Sequence, residues 1–135
     1  MAASKYTFTV EQGTTTDFEI QWNDSDNQPI DLTGYEAKMQ IKSDYKDNNG
    51  TLYLTLSSSI GDTYTKASGS SFLSLSGSNL TTPLTSGSIG IYIGHEASNT
   101  YLTGSSYFYD IEMTSGETRN RLLEGLVIIK KQVTS

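Results

Sequence analysis

The residues best suited to catalysis are few, and their spacing does not favour it. His95 is the only histidine among the 135 residues, and no Gly-x-Ser-x-Gly motif supplies a nucleophile that it could activate. The pair His95-Glu96 also lacks the second histidine of a helical zinc motif. We therefore interpret His95 as a surface residue and predict a protein that is not an enzyme, with no catalytic residues and no cofactor.

Three aspartates could supply carboxylate oxygens to a calcium ion. Asp24, Asp26 and Asp31 lie close together in the sequence, but the sixth and twelfth positions of such a loop are Pro29 and Tyr35. A calcium loop requires glycine and glutamate there. Because aspartate is also common in turns, we interpret the three as turn residues and predict no metal site.

Aromatic side chains are abundant, with nine tyrosines and one tryptophan. Trp22 and Tyr109 occupy alternating positions in segments that otherwise alternate apolar and polar residues, which favours packing against a sheet. Tyr92 and Phe108 fall on the opposite face from their isoleucine and tyrosine neighbours. If that face is exposed, these two residues mark an interface.

Composition excludes several classes of protein. The net charge is -6, which argues against binding to nucleic acid. The chain has no cysteine, so disulfides and thiolate metal sites are excluded. It has no run of roughly 20 apolar residues that could span a membrane, and its first residues lack the apolar stretch of a signal peptide. Its length suits one domain, which we assign to residues 1–135.

The elements that position these residues are predicted to be strands. Apolar residues alternate with polar ones in four clear segments, residues 6–10, 18–22, 35–42 and 107–113. Turn-forming residues separate the segments at short intervals. We predict an all-β, antiparallel β-sandwich of about eight or nine short strands, without a long helix.

The last apolar segment departs from this alternation. Leu126, Val127, Ile128 and Ile129 are apolar on both faces of a strand. This pattern predicts either a central strand or a strand that packs against a neighbouring subunit, so Leu126 and Ile128 are candidate interface residues. We expect Gly125 to separate this strand, residues 126–133, from another at residues 118–123.

Several motifs carry a resemblance to a known group of proteins. They are FEIQWND (residues 18–24), QPIDLTGY (28–35), YEAKMQIK (35–42), YDIE (109–112), RLLEG (121–125) and the terminal VT (133–134). In order and spacing they resemble tailed-phage and prophage virion proteins, which include small tail, baseplate and fibre-attachment modules similar to the N-terminal domain of the siphophage baseplate upper protein. The resemblance covers most of the chain outside residues 51–103. It implies an immunoglobulin-like β-sandwich that docks onto other virion proteins and carries no catalytic residues.

Residues within these motifs have expected structural roles. They are Trp22, Pro29, Asp31, Gly34, Tyr109, Arg121 and Gly125. Pro29 fixes its φ angle before the third strand, and Gly34 and Gly125 allow bends or a positive φ angle. Asp31 and Thr33 tie the turn through side-chain hydrogen bonds, and Arg121 could pair with Glu124.

These observations lead to one main expectation and one alternative. We expect a non-enzymatic structural component of a phage virion, made in the bacterial cytoplasm, which docks onto other virion proteins and forms a homo-oligomer. Its position in the particle, whether head, neck, tail, baseplate or fibre, stays open. The alternative is a module that binds host-surface carbohydrate, motivated by Trp22, Tyr101 and the polar residues 99–105.

Overall fold

The computed structural model describes residues 4–42, 52–58, 66–67, 70–96, 98 and 106–130. Within these ranges the chain forms nine strands, and a 3-10 turn covers Leu84–Ser86. The strands are β1 (Ser4–Lys5), β2 (Phe8–Glu11), β3 (Thr16–Gln21), β4 (Glu36–Lys42), β5 (Leu52–Ser57), β6 (Ser71–Ser74), β7 (Ser88–Ile93), β8 (Ser106–Ser115) and β9 (Thr118–Lys130). The predicted all-β class is confirmed.

The strands form two sheets. A six-stranded sheet has the order β1-β9-β8-β4-β5, with β2 also pairing with β9, and a three-stranded sheet has the order β3-β7-β6. The six-stranded sheet is mixed because β1 and β2 run parallel to β9, whereas its other pairs are antiparallel. The prediction of an entirely antiparallel arrangement is therefore wrong, since alternation sets the face of a side chain but not the direction of its neighbour.

One cluster of buried side chains joins the two sheets. Its members face inward from alternate positions of the strands, as the alternation predicts. The largest contributions from β4, β7 and β8 are Met39, Ile41, Ile89, Ile91, Ile93, Tyr109, Ile111 and Met113. Burial of each such side chain stabilises the fold by about 1.5–3 kcal/mol.

Strand β7 is buried on both faces, whereas its sequence suggests one wet face. Gly90 lies so close to the chain around Gly77 that a Cβ atom would stand 2.6 Å from the Gly77 carbonyl oxygen. Lys66 and Ala67 contact Tyr92 on the same outer side. Loops therefore cover the side of the three-stranded sheet that carries Gly90 and Tyr92.

Strand β9 continues through Gly125 without interruption. The expected separation into two strands is wrong, and so is the expectation that the strands are all short, because β8 has 10 residues and β9 has 13. Gly125 is instead a point of close approach, where an added Cβ atom would lie 2.1 Å from the carbonyl oxygen of Tyr6. A glycine inside a strand can mark such an approach as well as a break.

Candidate functional site

The side of the six-stranded sheet that faces away from the core carries the candidate interface residues. In the antiparallel register Phe108 lies opposite Leu126, and Ser106 lies opposite Ile128. The side chain of Ile128 is 37% exposed, and those of Phe108 and Leu126 are half-buried. We call Phe108, Leu126 and Ile128 the apolar patch.

The strand that carries most of this patch has neighbours on both sides. Val127 and Ile128 pair with β2 on one side and with β8 on the other. The backbone of β9 is therefore used within the chain at this point, as predicted for a central strand. At this point a partner would therefore be contacted by outward side chains such as that of Ile128, rather than by the backbone of β9.

Charged residues lie next to the patch on the same face. Asp110 stands between Gln40 on β4 and Glu124 on β9. Its carboxylate oxygen Oδ2 lies 3.6 Å from Nε of Arg121. Arg121 therefore pairs with Asp110, whereas the sequence suggested Glu124 as its partner.

Asp110 sits in an electrostatically unfavourable position. Partial burial raises the pKa of Asp110 by removing water from the carboxylate, while the positive charges of Arg121 and Lys42 lower it less. Two carboxylates directly opposite each other on neighbouring strands also repel. The combined effect is a carboxyl group whose ionised form is disfavoured in the folded protein.

Tyr92 does not contribute to an exposed face. Its side chain is only 6% exposed, and its ring stacks on Phe72 with 5.1 Å between ring centroids. Its hydroxyl donates a hydrogen bond to the Ala67 carbonyl at 3.3 Å, and Nζ of Lys66 lies 5.9 Å from its ring centroid. Tyr92 was a candidate interface residue on the condition that its face of the strand is exposed. Within the chain this condition is not met.

The motif residues around the turn after β3 have structural contacts. Trp22 packs edge-to-face against Tyr35, with 5.4 Å between ring centroids, and Pro29 forms an isolated antiparallel bridge with Asn23. Asp31 accepts hydrogen bonds from the backbone and hydroxyl of Thr33, which hold the pKa of Asp31 below its usual range. The predicted turn is confirmed in this detail.

Gly34 and Tyr109 also have defined roles. Gly34 has a φ angle of 83°, in the region that glycine adopts without strain. The hydroxyl of Tyr109 donates a 2.6 Å hydrogen bond to the carbonyl of Tyr6, two residues before β2. Since Gly125 closely approaches the same carbonyl, Tyr109 and Gly125 together anchor the N-terminal strands to the sheet.

The residues considered for chemistry lie apart. His95 is exposed, and its carbonyl lies 3.1 Å from the hydroxyl of Ser98, which also accepts a hydrogen bond from the Gly13 amide. Asp24 accepts hydrogen bonds from the amides of Asp26 and Gln28, as an aspartate in a turn does. Among the described residues, no three histidines or carboxylates lie together in a way that could hold a metal ion.

Some predictions fall outside the described residues. They concern Tyr101, residues 99–105 and the end of the strand predicted at residues 126–133. In the part of the chain that the structure does describe, no helix is long and apolar enough to cross a membrane.

Sequence reasoning missed a groove between strands β2 and β3. Its lining includes Tyr6, Phe8 and Phe18, together with a set of threonines and acidic residues. The only hint in the sequence is the threonine run at residues 14–16, which is equally typical of any exposed strand. The groove depends on which strands pair, and strand pairing cannot be read from alternation.

No model of a known protein family matches the chain, and no curated protein matches it.

Proposed function

We propose that the protein is a non-enzymatic structural component of a tailed-phage virion that acts by docking onto other virion proteins. The observation that carries the docking role is the apolar patch, Phe108, Leu126 and Ile128, on the outer face of the six-stranded sheet. The phage context is supported by the sequence motifs at residues 18–42 and 109–125, which resemble virion modules.

The patch is unusual for its position in the fold. An outer sheet face exposed to water normally carries polar residues, and the neighbouring positions Asp110, Glu112 and Arg121 follow that rule. Exposed apolar surface has an unfavourable free energy of about 25 cal/mol per Å² that a partner would relieve. An apolar patch with a polar rim is the usual arrangement of a protein–protein interface.

We also propose the finer fold assignment, an immunoglobulin-like β-sandwich. Its support is the arrangement of two sheets around one shared core and the packing of Trp22 against Tyr35 at the margin of that core. The parallel pairing of β1 and β2 with β9 is a variation at one edge of the sandwich.

The first experiment measures mass in solution for the wild-type protein and for Ile128→Ser. We expect a discrete homo-oligomer of the 14.8 kDa chain and a shift toward monomer in Ile128→Ser, because a polar residue weakens an apolar contact. Leu84→Ser is the matched control, since Leu84 is also 37% exposed but lies in the 3-10 turn away from the patch. Light scattering coupled to size exclusion gives the masses.

The outcomes separate the parts of this proposal. Equal masses for Ile128→Ser and the wild-type oligomer would exclude the patch as its interface, and a wild-type monomer at all concentrations would exclude the homo-oligomer. Docking onto a different virion protein is tested by quantitative mass spectrometry of purified particles from the host. Absence of this protein from the purified particles would overturn the virion assignment.

A module that binds host-surface carbohydrate is the alternative, and the described residues support it less. Trp22 is in edge-to-face contact with Tyr35 and is half-buried, so its ring is not a free platform for a sugar. Specific binding on a glycan array that is lost in Trp22→Ala, with folding retained by circular dichroism, would favour this alternative over docking.

A further inference from the structure

Strands β2 and β3 are two sheet edges that face each other. Among the described strands, β2 pairs only with β9 in the six-stranded sheet, and β3 pairs only with β7 in the three-stranded sheet. On the opposite side of the molecule, β5 lies beside β6. The two sheets are thus drawn together at one side and leave a groove at the other, which we call the seam.

The seam has the shape of a missing strand. An edge strand presents backbone N–H and C=O groups that can pair with an added strand. Sheets that pack face to face are about 10 Å apart, which is about twice the spacing of paired strands. At that general spacing, one extended backbone fits between two facing sheet edges. The turn at residues 12–15 joins these two strands and closes one end, so such a segment would enter from the Tyr6 end.

The lining of the seam suits an extended peptide. Phe8 and Phe18 contact each other in its floor, with 5.1 Å between ring centroids, and Tyr6 is 47% exposed at its open end. The walls carry threonines, which favour strand structure, at positions 7, 9, 14, 15 and 16. An apolar floor with an accessible backbone at its margins is typical of grooves that accept a strand.

The charge of the seam indicates the chemistry of the segment. Three acidic residues, Glu11, Asp17 and Glu19, contribute to its lining, and none of the lysines or arginines that the structure describes does. The chain already places one lysine at this edge, because Nζ of Lys66 lies 2.9 Å from Oδ2 of Asp17 and also contacts the carbonyl of Ser78. The Glu19 carboxylate accepts hydrogen bonds from the amide and hydroxyl of Ser78.

Glu11 is the acidic residue most available to a partner. Its side chain is 60% exposed and lies 3.9 Å from Nζ of Lys130, a distance at which an exposed ion pair contributes little. A basic side chain of an added strand could therefore contact Glu11 without displacing a strong internal interaction.

We propose that the seam accepts an extended, basic segment of a partner protein, which adds as a strand between β2 and β3. This inference rests on the proposed docking function and names the partner's chemistry. It uses a different surface from the apolar patch, so the two can fail independently. Backbone hydrogen bonds supply affinity, and alternate side chains facing the acidic margin supply specificity.

The test uses the complete chain and a library of random nine-residue peptides. Peptides selected on the protein are expected to be rich in β-branched residues and in lysine or arginine at alternate positions. Backbone amide shifts measured by NMR should change at β2 and β3 when a selected peptide binds. N-methylation of alternate peptide amides should weaken binding by about tenfold or more, because it removes strand hydrogen bonds.

Two charge reversals test the acidic margin. Glu11→Lys should weaken binding of a selected basic peptide by about five- to tenfold, because an attraction becomes a repulsion. Glu117→Lys is the control, because it changes the net charge equally but lies in the turn between β8 and β9. This variant should bind the selected peptide as tightly as the wild-type protein does. Equal weakening in both variants would indicate only general electrostatic attraction and would overturn the site.

Three further results would overturn the proposal. They are a failure of the library to yield binders, amide shifts that map to the apolar patch or elsewhere, and full binding by the N-methylated peptides. Binding of a glycan at the seam, lost in Tyr6→Ala while the selected peptides do not bind, would assign the groove to carbohydrate instead. None of these results depends on the mass of the protein or on its presence in particles.

Discussion

At the scale of single residues, Tyr109 supplies a hydrogen-bond donor to a backbone carbonyl at the sheet margin. Tyr109→Phe should lower the free energy of unfolding by about 1 kcal/mol, because the Tyr6 carbonyl loses the partner that lies 2.6 Å away. Urea unfolding monitored by circular dichroism measures the change. Tyr92→Phe is the comparison, since its 3.3 Å hydrogen bond should contribute less; a larger loss in that variant would contradict this ranking.

The same hydroxyl gives an alkaline signature. Burial, assisted by the nearby Tyr6, raises the pKa of Tyr109. In the unfolded chain residue 109 releases its proton near its ordinary pKa of about 10, whereas the folded protein retains it. Stability should therefore fall as the pH rises above about 10, and Tyr109→Phe should flatten part of that fall.

Asp110 and Asp31 should respond to pH with opposite signs. Because the pKa of Asp110 is raised in the folded protein, its ionisation destabilises the fold as the pH rises through its unfolded and then its folded pKa. Asp110→Asn should therefore be more stable than wild type at neutral pH and equally stable in strong acid. Unfolding curves in urea across the acidic range test this, and a destabilised Asp110→Asn at neutral pH would mean that the Arg121 contact dominates.

The aspartate in the turn after β3 provides the opposite case. The bonds from Thr33 lower the pKa of Asp31, so its contribution is present above the ordinary aspartate pKa and is lost as the pH falls through the folded value. Asp31→Ala should destabilise the protein at neutral pH, and the difference from wild type should shrink in acid. A difference that is constant with pH would show that the charge of Asp31 has no part in holding the turn.

At the scale of elements, the passage of β9 beneath the N-terminal segment depends on Gly125. Gly125→Ala should displace β1 and β2, because the new Cβ atom would collide with the Tyr6 carbonyl at 2.1 Å. We expect faster hydrogen exchange at β2 amides and a loss of stability greater than that of Gly34→Ala. Gly34 is the control because its φ angle is 83° and it has no neighbour within 4 Å, so it isolates backbone strain of about 1 kcal/mol.

Alternation predicted the inward residues of β4 and β8 correctly, because both strands have one buried face and one outer face. In β7 the second face is buried as well, because loops that include Lys66 and Gly77 cover it. Local pattern carries information about one sheet face, whereas a covering loop comes from residues distant in the sequence. Gly125 was interpreted as a break between two strands, because glycine is favoured both where a strand ends and where another backbone approaches closely.

At the scale of the whole molecule, the surfaces depend on which distant segments pair, and the sequence does not reveal that pairing. The outer position of the candidate interface residues was predictable in part. Phe108 is an outward position of an alternating segment, and Leu126 and Ile128 share a face because they are two residues apart on one strand. The face that carries Tyr92 is covered within the chain, and this cover was not foreseeable from the sequence. The seam was not foreseeable either, since it arises from the absence of pairing between β2 and β3, two consecutive strands that alternation would readily join as a hairpin.

The parallel pairing at the edge of the sheet has a mechanical consequence. Ser4 lies beside Leu123 and Glu11 lies beside Lys130, so the two ends of the described chain leave opposite ends of one ladder. Tension applied between those ends pulls β1 and β2 against β9 along the strand axes. The ladder is then loaded in shear, so its hydrogen bonds bear the force together instead of breaking one after another.

Single-molecule pulling can detect this resistance. The chain has no cysteine, so handles can be attached specifically through one cysteine added at each end. We expect unfolding in one abrupt step at high force, and a lower rupture force in Tyr109→Phe, in which β2 is less firmly anchored. A small early extension at low force would mean that β1 and β2 peel away first. A shear-resistant ladder would let the folded domain transmit tension from one end of the chain to the other without lengthening.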